Sequence, residues 1–198
     1  MASSAGYTAV TRSCHTGAAR TQPGNPPVTC GCHDGAVEAE REVLTWQRFD
    51  EAVWSLAERV AADGVPDMIL SVARGGLIVG GALGYALGVK NTYTMNVEFY
   101  TGVDERLDVP RILPPAPDFV DLHDATVLVA DDVADTGLTL ASVREFCAGK
   151  VGGVRTAVVY AKPRSVVVPD YAWGTTERWI SFPWSDRPPV TERGVLGA

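Results

Sequence analysis

At 198 residues the chain has room for one sizeable domain with tails. Its 46% hydrophobic and 21% charged residues are ordinary for a soluble globular protein, and a net charge of −7 argues against a general nucleic-acid binder, whose footprint would be basic. No apolar run reaches the roughly 18 residues of a membrane span. No basic stretch followed by an apolar core marks a secretory signal, so a reducing cytoplasm is the expected compartment. The four cysteines, Cys14, Cys30, Cys32 and Cys147, are then not expected to form a disulfide framework.

Residues 1–40 are rich in Ala, Ser, Thr, Gly and Pro and carry no helical or strand period, which predicts a disordered extension. Cys14-His15 and Cys30-Gly31-Cys32-His33 pair thiols with imidazoles, but the spacing fits no standard zinc pattern. Thr45 can cap a helix over residues 46–62, with Phe49, Val53, Leu56, Ala57 and Val60 on one face and Gly64-Val65-Pro66 ending it. A buried strand is predicted over 68–72, closed by Ala73-Arg74-Gly75-Gly76. A second helix follows over about 77–87, stopped by Gly88, with Gly80, Gly81, Ala82, Gly84 and Ala86 read as packing positions.

Residues 91–98 alternate as a strand. Residues 99–124, with Pro110, Pro114, Pro115 and Pro117, read as a long connection of the kind that forms a functional lid. A buried strand at 126–130 and a helix at 139–148 come next, with Val143, Phe146 and Cys147 inward and Cys147 a core thiol. The last buried strand, 155–160, runs into Ala161-Lys162-Pro163. Residues 166–184 are rich in proline and aromatics, including Trp173, Trp179 and Trp184, and residues 188–198 form a tail. This alternation predicts an α/β fold: an open, mostly parallel twisted sheet with helices on both faces. Ligands then sit at the carboxyl ends of strands, so Arg74-Gly75-Gly76, residues 131–139 and Lys162 should converge at one edge.

Residues 127–140, V-L-V-A-D-D-V-A-D-T-G-L-T-L, carry the chemistry. Gly137 allows a turn whose backbone N–H groups meet the start of a helix, and Thr136 and Thr139 add hydroxyls. Amides, hydroxyls and helix dipole together suit a phosphate monoester. No Walker loop is present, and the acidic spacing is not that of an EF-hand. Asp131 and Asp132 stand where a sugar would lie beside that phosphate. They can accept from vicinal hydroxyls and favour positive charge on a nearby ring.

The run D-D-V-A-D-T-G-L-T at 131–139 resembles the phosphoribosyl-pyrophosphate binding motif of the type I phosphoribosyltransferases. T-W at Thr45-Trp46, A-R-G-G at 73–76, A-K-P at 161–163, W-I at Trp179-Ile180 and P-W at Pro183-Trp184 are similar to the bacterial xanthine-guanine enzymes in order and spacing, over about residues 43–186. The resemblance implies a transferase domain over 41–187, with residues 99–124 as a mobile hood. It implies transfer of phosphoribosyl from phosphoribosyl pyrophosphate to a 6-oxopurine, with magnesium. Asp131 and Asp132 would hold the ribose hydroxyls, with Asp132 at the metal. Asp135 would be general acid/base near purine N7, and Asp135, Thr136, Gly137, Leu138 and Thr139 would cradle the 5′-phosphate. Arg74 and Gly75, with a non-proline cis peptide before Arg74, would bind pyrophosphate. Lys162 would donate to the oxygen at C6, Trp179 would stack on the base, and Ile180 would meet its edge through backbone groups. Relatives assemble as dimers or tetramers.

The sequence departs from the pattern where the acceptor is specified. The interval from Lys162 to Trp179 is shorter, the hood is longer and richer in proline, and Leu138 replaces a Lys or Gly. Tyr100-Thr101 is the nearest match to a usual Ser-Tyr pair. A non-purine acceptor, or a regulator that senses the donor, therefore stays open at this stage.

Overall fold

A computed structural model of the chain describes residues 41–102, 105–113 and 122–190, with the backbone alone described over 99–111. The N-terminal extension with Cys14, Cys30 and Cys32, the hood prolines at 114, 115 and 117, and the side chains of Tyr100-Thr101 lie outside the described residues.

The elements in chain order are β1 (Glu42–Val43), α1 (Trp46–Ala62), β2 (Met68–Ala73), α2 (Gly75–Leu87), β3 (Thr92–Gly102), β4 (Glu105–Leu113), β5 (Thr126–Ala134), α3 (Leu138–Cys147), β6 (Gly153–Ala161), β7 (Tyr171–Thr175) and β8 (Ile180–Ser181). Six strands form one sheet in the order β4-β3-β2-β5-β6-β7, and β1 pairs with β8 separately. Every neighbouring pair is parallel except β3–β4. The doubly covered, mostly parallel sheet matches the architecture expected from the alternation of strands and helices.

The period-two geometry of strands explains why the central strands read as unbroken apolar runs. On β5, Leu128 and Ala130 join α1 and α2 in one core, while Val127 and Val129 join α3 in the other. On β6, Ala157 and Val159 face the first core and Val158 the second. Helix α1 buries Phe49, Ala52, Val53, Leu56, Ala57 and Val60, and the Thr45 hydroxyl accepts from the Arg48 N–H at 3.2 Å to cap it. On α3, Cys147 is fully buried and its thiol is pushed up to about 11 by burial, as suits a core position.

Four expectations are corrected. The span 99–124 is not one irregular connection: β3 runs on to Gly102, and β4 returns antiparallel from Glu105 to Leu113. Pro110 did not forbid this, because β4 is an edge strand and can spare a backbone donor on its open side. The strand ending at residue 130 continues through both carboxylates to Ala134. The helix expected from Leu77 starts at Gly75, and β7 arises within the proline-rich stretch that gave no strand signal.

The early start of α2 sets the distance between helix and sheet. A Cβ on Gly76 would lie 2.4 Å from the Ala130 carbonyl oxygen and 3.1 Å from the Asp131 Cα. Both contacts are backbone, so neither can turn aside. Gly76→Ala should destabilise the fold by about 1–3 kcal/mol, read as a lower midpoint in denaturant with an unchanged slope. An unchanged midpoint would mean that α2 does not seat on β5 as described.

Candidate active site

β2, β5 and β6 are adjacent and parallel, so their carboxyl ends share one edge of the sheet. This edge carries Arg74 after β2, Asp131 through Thr139 at the end of β5, and Lys162 after β6. The convergence expected from topology is present.

At the β2 end, the Ala73–Arg74 peptide is cis and Arg74 occupies the N-cap of α2. The Arg74 side chain does not cap this helix; the Gly76 N–H hydrogen-bonds to the Asp131 carboxylate, and the Leu77 N–H donates to the Arg74 carbonyl at 3.1 Å. A Cβ on Gly75 would fall 1.8 Å from Asp132 Oδ2. The start of α2 and the Asp132 carboxylate are therefore in direct apposition, and glycine is what the space admits.

Asp131 is 9% exposed and Asp132 half-buried. Asp131 Oδ1 accepts the Asp132 backbone N–H at 2.9 Å. Burial pushes the Asp131 carboxyl well above the usual range, and repulsion from Asp132 adds to the shift. Asp132 is also raised by burial, against the pull of hydrogen bonds that include one from the Trp184 side chain. Such crowded carboxylates gain from a cation or from hydroxyl donors placed between them. Their hard oxygens suit Mg²⁺, which characteristically takes one or two protein carboxylates and completes its shell with water and substrate phosphate. Among the described residues no cluster of three or more metal-ligating side chains occurs.

The turn at the end of β5 opens a second helix at the same edge. Gly137 has φ +80° and forms the N-cap of α3 with no side-chain cap. A Cβ there would also meet Ser165 Oγ at 2.4 Å and the Val167 nitrogen at 2.8 Å. Thr136 Oγ1 lies 3.5 Å from the Leu138 N–H, and Leu138 and Thr139 open the helix.

Across the β5–β6 boundary a cavity of about 360 Å³ is lined by Asp135, Lys162, Arg164, Glu177, Trp179 and Ile180, among others. Lys162 is 9% exposed and its Nζ donates to the Arg178 carbonyl. Burial lowers its pKa, opposed by Asp135. Trp179 is 72% exposed and Ile180 is buried. The carbonyls of Trp179 and Ser181 accept from Glu42 and Leu44, so the Ile180 peptide groups face away from β1. Trp184 stacks on Phe182 with ring centroids 4.9 Å apart and packs on Trp46 and Phe49. It is a member of an aromatic cluster that also reaches Asp132.

The sequence reading missed Arg164 and Glu177. Arg164 Nη2 pairs with Asp135 Oδ1. A lone arginine after Lys-Pro carries no spacing signal; only the folded turn puts it opposite Asp135.

A phosphoribosyl transferase domain profile matches residues 40–188. The chain is 30% identical over 148 residues to a xanthine-guanine phosphoribosyltransferase of Gluconobacter oxydans, a match covering 73% of this chain and 84% of that protein. The crystal structure of a purine phosphoribosyltransferase from Pyrococcus horikoshii aligns with a TM-score of 0.67 at 39% identity, over 77% of this chain and 98% of that one. The xanthine-guanine-hypoxanthine phosphoribosyltransferase of Helicobacter pylori aligns at 0.63 with 22% identity over 73% and 94%, which speaks to the fold.

The raised carboxyls make stability depend on pH in a definite direction. A carboxyl whose folded value is raised binds more protons folded than unfolded between the two values. Its penalty is absent below the ordinary carboxylate range, grows as pH rises through that range, and is complete above the folded value. Asp131→Asn should therefore raise the melting temperature at pH 8 in chelator-treated buffer and lose that advantage below about pH 4. Thermal melts across pH check this; a variant less stable than the parent at pH 8 contradicts it.

Proposed function

The chain belongs to the phosphoribosyltransferase family, and on that premise we propose that it transfers phosphoribosyl from 5-phosphoribosyl 1-pyrophosphate to a 6-oxopurine in purine salvage, releasing a nucleoside 5′-monophosphate and pyrophosphate. The observation that carries this reading is the meeting of two helix N-termini opened by glycine, a buried and a half-buried carboxylate and an aromatic-edged cavity at one edge of three parallel strands. A ligand with phosphate at both ends of a ribose matches the first three; a flat acceptor matches the last.

In this reading Arg74 and the amides of Gly75 bind pyrophosphate, while Asp135, Thr136, Gly137, Leu138 and Thr139 take the 5′-phosphate. Asp131 and Asp132 accept from the ribose hydroxyls, and their charge favours the cationic ring that forms as the C1′–oxygen bond breaks. Purine N9 attacks C1′, the electron pair of the broken bond leaves with pyrophosphate, and the N7 proton passes to the Asp135 carboxylate. Lys162 donates to the 6-oxygen. Trp179 covers one face of the base, and the Ile180 peptide groups meet its edge. Mg²⁺ held at Asp132 would neutralise charge on the leaving pyrophosphate.

The catalytic unit in this proposal is residues 41–187, and residues 99–124 are the hood that excludes water. We place the enzyme in the cytoplasm; among the described residues no helix is long and apolar enough to cross a membrane. We also assign it to a homodimer or homotetramer. Exposed Trp46, Trp54 and Tyr85 on α1 and α2 support that assignment.

Purified protein with the donor, Mg²⁺ and a panel of bases should yield monophosphate from xanthine, guanine or hypoxanthine. Absence of product with every base would refute the proposal and leave a donor-binding protein. Asp135→Asn should lower kcat roughly 10²–10⁴-fold while the KM for the donor changes little. Unchanged turnover would remove Asp135 from its role.

A further inference from the structure

The segment after β6 is stitched to the loop after β5 by two backbone hydrogen bonds. The Ala134 carbonyl accepts from the Lys162 N–H at 2.9 Å, and the Thr136 carbonyl accepts from the Val166 N–H at 2.9 Å. Asp135 and Arg164 lie between these two backbone bonds, and their side chains form the rung in the middle. The Arg164 backbone has little freedom. Pro163 fixes the chain ahead of it, the Ser165 N–H closes a turn onto the Lys162 carbonyl at 3.0 Å, and the Ser165 hydroxyl donates to the Val167 carbonyl at 2.6 Å.

The rung adds little stability. The side chains of Arg164 and Asp135 are 66% and 48% exposed, and ion pairs this open contribute almost nothing to folding. Its consequence is directional. Arg164 engages Oδ1 of Asp135, and among the described residues Oδ2 takes no hydrogen bond. Lys162, the other cation near Asp135, gives its Nζ to the Arg178 carbonyl. The two cations that line the acceptor cavity thus divide: Arg164 holds the carboxylate, and Lys162 stays with the cavity wall.

We propose that Arg164 is the positioning residue for Asp135: it clamps one carboxylate oxygen so that the other meets the proton leaving the acceptor base. This rests on the assignment of Asp135 as the general base. Arg164 itself moves no proton and breaks no bond. A carboxylate free to rotate about its terminal torsion spends most of its time out of reach of a proton that it must approach within about 2.6–3.2 Å. Small misplacements of this kind are costly in rate. The planar guanidinium suits the task better than an ammonium, which presents a point charge without a fixed plane.

The test is a cycle of Arg164→Ala, Asp135→Asn and the double variant, with Arg164→Lys as the conservative change. Each is assayed with the donor, Mg²⁺ and the best base of the panel. Arg164→Ala should lower kcat about tenfold, with the KM of the donor and the melting temperature nearly unchanged. Arg164→Lys should fall between Ala and the parent. In the Asp135→Asn background, Arg164→Ala should cost less than about twofold, because nothing is left to position. Additive losses would overturn the proposal, since Arg164 would then act elsewhere. Unchanged kcat in Arg164→Ala beside a collapsed Asp135→Asn would also overturn it while leaving the transferase reading intact. A parent protein inactive on every base would instead refute the transferase reading, and the clamp with it.

Discussion

The close approach of α2 to the end of β5 is the constraint on which the site depends. Two glycines let the helix start touch the Ala130 carbonyl and the Asp132 carboxylate. A side chain at Gly76 would push the helix away from the strand, and one at Gly75 would displace the Asp132 carboxylate. The consequence is electrostatic as much as steric. The positive end of α2 lies against one buried and one half-buried carboxylate, so the helix start and the acidic end of the strand share one wall. A ligand can then be gripped at a phosphate and at a sugar within one short span.

The second constraint is parallel order. β2, β5 and β6 are neighbours running the same way, so their outlets open on one edge. Hydrophobic burial on both faces fixes that order, since each central strand supplies one row of side chains to each core. The stability that α1, α2 and α3 contribute by covering the sheet offsets the cost of holding Asp131 and Asp132 together away from water. Burial of this kind raises both carboxyls above their ordinary range, so holding them charged costs stability.

Aromatic packing joins the two halves of the site. Trp184 is fixed by Phe182, Trp46 and Phe49, and its side chain reaches Asp132. β1 takes the carbonyls of Trp179 and Ser181, and Glu42 on β1 accepts from the Tyr160 hydroxyl and Arg48. The wall of the acceptor cavity is therefore braced from α1 and β1, remote in sequence from the strands that carry the donor site. This bracing compensates for the exposure of Trp179.

Local pattern determined a great deal here. α1 was legible residue for residue, because its cap, its apolar period and its Gly-Pro stop all lie within one short window. The three central strands were legible from unbroken apolar runs, and the donor site from adjacent carboxylates followed by a glycine turn, since all its parts are consecutive in the chain. The β3–β4 arm was not. Its strands pair with each other at the sheet edge, and Pro110 reads as a breaker until its open side is known. Nor were β1–β8, the burial of Lys162, the reach of Trp184 to Asp132, or the rung from Arg164 to Asp135. Each joins residues distant in the chain, and no periodicity records a contact made by two segments that meet only after the sheet has formed. The sequence by itself determined the order of strand, adjacent carboxylates and glycine turn at the end of β5, because those parts are consecutive in the chain. Tertiary structure alone decided that Arg164 pairs with Asp135 and which side chains wall the cavity beside it, because those contacts are set by strand order and register.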